Sequence, residues 1–236
     1  MSPRRRVPGH RLRAPAIVAG LAASLAFARA TPAPAAAAQA PPRPVPLTEP
    51  GTLVPGQLAL QTGIAYAPGV RVELSGLAGD LWSLGTTRAR LGLSANVELA
   101  VEWTVREVLV VTSREPGFVE LQRGVRRTAS DFGDVTLGVR WVALRETETR
   151  PGVSLRLETR LPTTDETRGV GTNTTDFFSY VGAGRHSGAW WLQAEVGIGI
   201  LEAPAEVGEQ NDVLAYAAAA VWRVAPRWRV FASARG

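Results

Sequence analysis

The chain has 236 residues, no cysteine, and 26 basic residues, all of them arginine, against 21 acids. Its formal charge of +5 belongs to the N-terminus: residues 1–40 hold six arginines and no acid, which leaves −1 for the rest, so the basic balance does not indicate nucleic-acid binding. Disulfides, zinc–thiolate sites and cysteine nucleophiles are excluded, and outside the N-terminus there is no apolar run of the roughly 18 residues that a membrane-crossing helix needs.

Residues 1–30 have the form of a secretory signal. Arg4–Arg6, Arg11 and Arg13 form a charged start, residues 14–28 an apolar core, and small-x-small cleavage sites end at Ala30 and Ala40. Residues 31–55 are rich in alanine and proline, a composition that builds no core and predicts an extended, flexible lead-in. The barrel domain is expected over 56–236.

From Gln57 onward apolar and polar residues alternate with period 2, the mark of strands. Leu58, Leu60, Thr62, Ile64 and Tyr66 share one face of the first run. A second run spans Leu81–Leu93, with Arg88 and Arg90 opposed to Ala89, Leu91 and Leu93. After Ser94-Ala95-Asn96, Val97, Leu99, Val101, Trp103 and Val105 alternate with Glu98, Glu102 and Arg106. A three-residue turn there sets Arg88 directly across from Glu102. The stretch Asp134–Leu161 reads as a hairpin: Val135, Leu137, Val139 and Trp141, then Val153, Leu155, Leu157 and Leu161, form its apolar face, and Arg140, Arg156, Glu158 and Arg160 its polar face. A weaker run covers Phe177–Arg185. The last three are Trp190–Ile200, with Glu195 on the polar side, Val213–Val224 and Trp228–Arg235.

The connections alternate strictly in length. Those at 94–96, 145–152, 186–188 and 225–227 are short; those at 67–80, about 110–132, 162–175 and 202–211 are longer. That is the connectivity of a barrel in a Gram-negative outer membrane, with tight periplasmic turns and long outer loops. Trp141, Trp190, Trp222 and Trp228 lie beside the short turns and fit an interfacial aromatic girdle. Nine strands are counted, where bacterial barrels have an even number. Val70–Leu74 and Phe118–Leu121 are candidates for a missed strand, and a barrel of about 12 strands truncated at its C-terminus is the preferred expectation. The fold class is therefore all-β: an antiparallel transmembrane β-barrel of outer-membrane type.

In such a barrel the apolar face meets lipid and the polar face lines a lumen. Arg88, Arg90, Glu98, Glu102, Arg106, Arg140, Arg156, Glu158, Arg160 and Glu195 are the expected lumen lining. They either set the selectivity of a pathway, as charged rings do, or form a paired network that fills a narrow barrel.

Two segments resemble a known family. Asp131-Phe132-Gly133-Asp134-Val135-Thr136-Leu137-Gly138 is similar to its G-x-G-D-x-x-L-G strand entry, with Asp131 in place of the first glycine. Leu161-Pro162-Thr163-Thr164-Asp165 is similar to its L-P-T-G-D strand exit, and Gly169-Val170-Gly171-Thr172 with Thr175-Asp176 to its following loop. The family is the outer-membrane transporter-like group named for the meta-pathway of phenol degradation. The resemblance covers roughly residues 57–236 and implies passage of small, aromatic or hydrophobic molecules.

Enzyme chemistry is not expected. The histidines are His10, in the signal, and His186, in a short turn beside Ser187; one histidine of the mature chain builds neither a hydrolytic triad nor a metal site. The carboxylate pairs Glu98/Glu102 and Glu158/Glu195 read better as arginine partners than as an acid–base couple. No G-x-G piece opens a helix, so no nucleotide or other cofactor is expected. Arg126-Arg127 fits a solvated loop better than a contact to lipopolysaccharide phosphates. The expected partners are outer-membrane lipid, a small solute and the outer-membrane assembly machinery. The alternatives are a non-conducting structural or lipid-modifying barrel, and a secreted soluble β-barrel that binds an apolar ligand.

Overall fold

Period-2 alternation over most of the chain produces one antiparallel sheet. A computed structural model describes residues 53–202, 211–225 and 228–236. The expected signal, residues 31–52 of the expected lead-in, and the connections at 203–210 and 226–227 lie outside the described residues. The strands are β1 (Leu58–Val72), β2 (Leu77–Gly92), β3 (Val97–Arg114), β4 (Thr128–Asp131), β5 (Val135–Leu144), β6 (Gly152–Leu161), β7 (Asp176–Ser187), β8 (Trp190–Leu201), β9 (Asn211–Ala225) and β10 (Trp228–Arg235). Their order is β1-β2-β3-β5-β6-β7-β8-β9-β10, with the short β4 beside β3. The sheet curls into a half-barrel. No helix among the described residues is long and apolar enough to cross a membrane, which says nothing of strands.

The nine expected strands are all present, and three expectations about their limits are corrected. The long connection at 67–80 does not exist: β1 and β2 run on to a turn at residues 73–76. Pro68-Gly69 has the composition of a turn but forms a bulge, with the register shifting between Ala67 and Val70. Asp80 holds it from the next strand, accepting from Gly69 N at 3.1 Å and from the Tyr66 hydroxyl at 3.0 Å. Val70–Val72 thus extends β1 instead of making a separate strand, and Phe118–Leu121 is not a strand. The third correction is β4, which pairs with β3 from Glu107 to Val110 and whose four residues are too few for periodicity to reveal.

The two faces differ in kind. Leu60, Ile64, Leu137, Val139, Leu157, Val181, Val196, Ile198 and Leu214 lie on the outer, convex face and are exposed. Arginine, glutamate and aspartate line the inner face, many of them buried. At one end of the inner face sits an apolar cluster of Val72, Leu77, Leu81, Leu109, Ala129 and Val170. Leu121 and Val125, from the connection between β3 and β4, pack against it. The segment after β6 returns over the same end through a 3-10 turn at Glu166–Arg168, capped by Asp165, which accepts from Thr167 N.

Candidate functional site: a charged inner face

The middle of the inner face is a chain of ion pairs, placed there by strand register. Arg88 stands opposite Glu102, as the turn length requires, at 3.7 Å, and its guanidinium reaches Glu158 of β6 at 3.8 Å. Arg156 pairs with Glu158 on its own strand and with Glu195 of β8 at 2.5 Å. Tyr180 is Arg156's partner in the register of β6 with β7, and its ring lies 3.9 Å below the guanidinium, a cation–π contact. Gln193 adds a hydrogen bond to Glu195. A second pair, Arg90–Glu98 at 3.5 Å, lies nearer the short turns, and Glu98 is 1% exposed. Desolvating an ion is costly, so buried charges persist only when several partners satisfy them; Arg156, with two carboxylates and a ring, meets that condition.

Glycines opposite large inner side chains make the space. A Cβ on Gly197 would stand 2.2 Å from Ser179 O and 2.6 Å from the Tyr180 ring; one on Gly199 would stand 2.5 Å from Phe178. The sheet is thin there so that Phe178 and Tyr180 can lie along it.

Toward the long connections the residues of the family-like segments meet. Arg160 pairs with Asp134 at 3.8 Å and with Asp176. Asp134 accepts from the Thr164 hydroxyl at 2.8 Å, and Asp131 accepts from Asp165 N at 2.8 Å and pairs with Arg168 at 3.0 Å. Strand entry, strand exit and following loop, well separated in sequence, are one hydrogen-bonded knot. These aspartates were not among the expected lining residues; their signal was their recurrence at the ends of the resembling segments.

Nine of the ten expected lining residues are on the inner face: Arg88, Arg90, Glu98, Glu102, Arg140, Arg156, Glu158, Arg160 and Glu195. Arg106 is not. It pairs in register with Leu84, on the outer face, and donates to the Ser130 hydroxyl at 2.7 Å. The cause is a bulge at Gly85, where the β1–β2 register slips by one residue. Gly85 has φ +64, a conformation open to glycine. Beyond it the inner positions of β2 change from Arg88 and Arg90 to Leu81 and Leu77, and those of β3 from Glu102 to Glu107 and Leu109. Arg106 thereby turns outward.

Trp141, Trp190 and Trp222 are on the outer face near the short turns, and Trp190 stacks on Trp222 with ring centroids 5.6 Å apart. Trp228 is exposed at the start of β10. Each carboxylate couple expected to serve arginines does so. His186 is held by Glu146, a residue that sequence reading passed over: the His186 backbone N–H donates at 2.5 Å, and its Nδ1 lies 2.8 Å from the other oxygen. Arg126 and Arg127 are exposed. Among the described residues no group of three or more His, Cys, Asp and Glu could hold a metal ion. No family model and no curated protein matches the chain.

Proposed function

We propose that this chain is an outer-membrane β-barrel protein of the transporter-like group it resembles, exported by its N-terminal signal, and that its inner face guides small molecules through the barrel. The observation that carries the reading is the inversion of the sheet. Leucines, valines, isoleucines and tryptophans lie exposed on the convex face, while arginines and glutamates lie buried on the concave one. Water favours the opposite arrangement: a solvated sheet turns its charges outward. A bilayer favours this one, because lipid takes the apolar face and the paired inner charges are kept from the hydrocarbon. Strand lengths agree. A tilted crossing takes about 9–11 residues, and the strands from β5 to β8 have 10 to 12.

Fractionation tests the membrane step. The protein is expected with the outer-membrane fraction and in solution only with detergent; recovery from the soluble periplasm without detergent would leave a secreted ligand-binding barrel instead. A second reading, a non-conducting barrel, has one observation in its favour: the inner charges pair with one another, and the loop residues Leu121, Val125 and Val170 pack over one end. Planar-bilayer recording of the full-length protein separates the two. Discrete conductance steps are the expected result. A correctly folded but silent barrel favours the structural reading.

A further inference from the structure

At the short-turn end of the inner face the chain forms a half-open pocket of about 370 Å³. Small-molecule sites run from about 300 to 1,000 Å³. Leu53, Val54 and Pro55 form part of its wall. They are the last residues of the proline-rich lead-in, drawn into the fold by Leu53 N on Glu98 and Gly56 N on Gly92 O. Val142, Leu144 and Val153 continue the apolar lining, and the charged groups are Arg140, Arg145, Glu146 and His186.

Three of those four are engaged. Arg145 donates to Ala95 O at 2.9 Å and to Asn96 at 2.8 Å, and Glu146 and His186 hold each other. Arg140 differs: its Nε and Nη1 are buried and have no hydrogen-bond partner in the protein. The indole Nε1 of Trp191, a side chain only 5% exposed that also lines the cavity, is in the same position. The acids whose fields reach Arg140 are Glu195 and Glu98. Both are held elsewhere, Glu195 by Arg156 and Gln193, Glu98 by Arg90 and Leu53 N.

A buried donor without an acceptor is destabilising, more so when it is charged. Every orphaned group here is a donor, so the missing piece must accept. Charged guanidinium N–H groups suit the oxygens of a carboxylate. The surrounding aliphatic wall suits a compact hydrocarbon. We propose that this cavity binds a small organic carboxylate, its oxygens on Arg140 and Trp191 Nε1 and its apolar body against Leu53, Val142 and Val153. A neutral aromatic molecule leaves the guanidinium without an anion and binds weakly. The site stands on the inner face of the sheet and needs no conduction, so a protein that binds without conducting removes the solute pathway and keeps this inference.

Isothermal titration of the full-length chain with benzoate, benzamide and inorganic phosphate tests it. Benzoate is expected to bind saturably, and both other probes at least about tenfold more weakly. Arg140→Gln is expected to lose at least about tenfold in benzoate affinity, and the loop variant Arg126→Gln to lose none. Circular dichroism checks that each variant keeps its sheet. Should Arg140→Gln fail to fold, Arg140→Lys keeps the charge but not the planar edge and is expected to weaken benzoate as well. The proposal is overturned if benzoate shows no saturation up to about 10 mM, if benzamide or phosphate binds as tightly, or if a folded Arg140 variant binds like the unaltered chain.

Discussion

The inner face is filled in two ways along the same two strands. Where loop residues cover it, Leu81 of β2 stands opposite Leu109 of β3; past the Gly85 bulge, Arg88 stands opposite Glu102. At the apolar end Leu121 and Val125 come from a loop and close over the leucines. In the charged middle every partner of Arg88 and Arg156 comes from a strand: Glu102, Glu158, Glu195 and Tyr180. The difference teaches a rule for this sheet. Leucine fills the inside beneath Leu121 and Val125, and paired charge fills it around Arg88 and Arg156, where the strands fill it alone. The two fillings also fail differently. A missing leucine leaves a void, whereas a missing arginine leaves buried carboxylates without a cation.

That asymmetry sets the largest expected effect. Arg156→Leu strips Glu195 of its ion pair and leaves Glu158 to the longer contact with Arg88, and is expected to cost about 3–5 kcal/mol. Urea unfolding of the detergent-folded chain measures it. Pairing the change with Glu195→Leu should recover a good part of the loss, because apolar replacement of both partners removes the stranded charge. A single-variant loss below about 1 kcal/mol, the value of an exposed pair, would break the comparison by showing the middle to be wet. At the other end Leu109→Ala is expected to cost about 3 kcal/mol, within the range for a fully buried leucine; Leu109 is 0% exposed. If Leu109→Ala is nearly free, the loops do not hold the apolar end closed.

Much of this could be read before the structure. Alternation located nine strands and their faces because a half-buried strand must repeat every two residues. Turn length alone put Arg88 opposite Glu102. Other features were not legible, each for a physical reason. The Gly85 bulge inserts one residue and inverts the positions of β2 and β3 on its loop side, so Arg106 followed the written pattern and not the sheet. Pro68-Gly69 has turn composition, but whether it turns or bulges depends on Asp80 across the strand. The apolar cluster and the carboxylate cavity join residues distant in the chain, Leu109 with Val125 and Arg140 with Leu53, and periodicity carries no information about such meetings.

The smallest effect comes from the same kind of pair placed in the open. Glu146 and His186 meet between two short turns, with side chains 25% and 52% exposed. Partial burial works to raise the Glu146 carboxyl, but the hydrogen bonds from the His186 backbone and ring, together with the nearby charges of His186 and Arg185, outweigh it and hold the group below its ordinary value of 4.5. A depressed acid stabilises the fold above its unfolded value and loses that contribution as pH falls through the folded one. Stability should therefore drop on acidification below about pH 4.5 by an amount that Glu146→Gln abolishes. Solvent screens the pair, so the difference at neutral pH should be under about 1 kcal/mol and shrink further in high salt. Urea midpoints of both proteins at neutral and acid pH read this directly. A difference of several kcal/mol, or one unchanged by acid, would mean that burial is not what separates this turn from the Arg156 network, and the contrast between the two regions would need another cause.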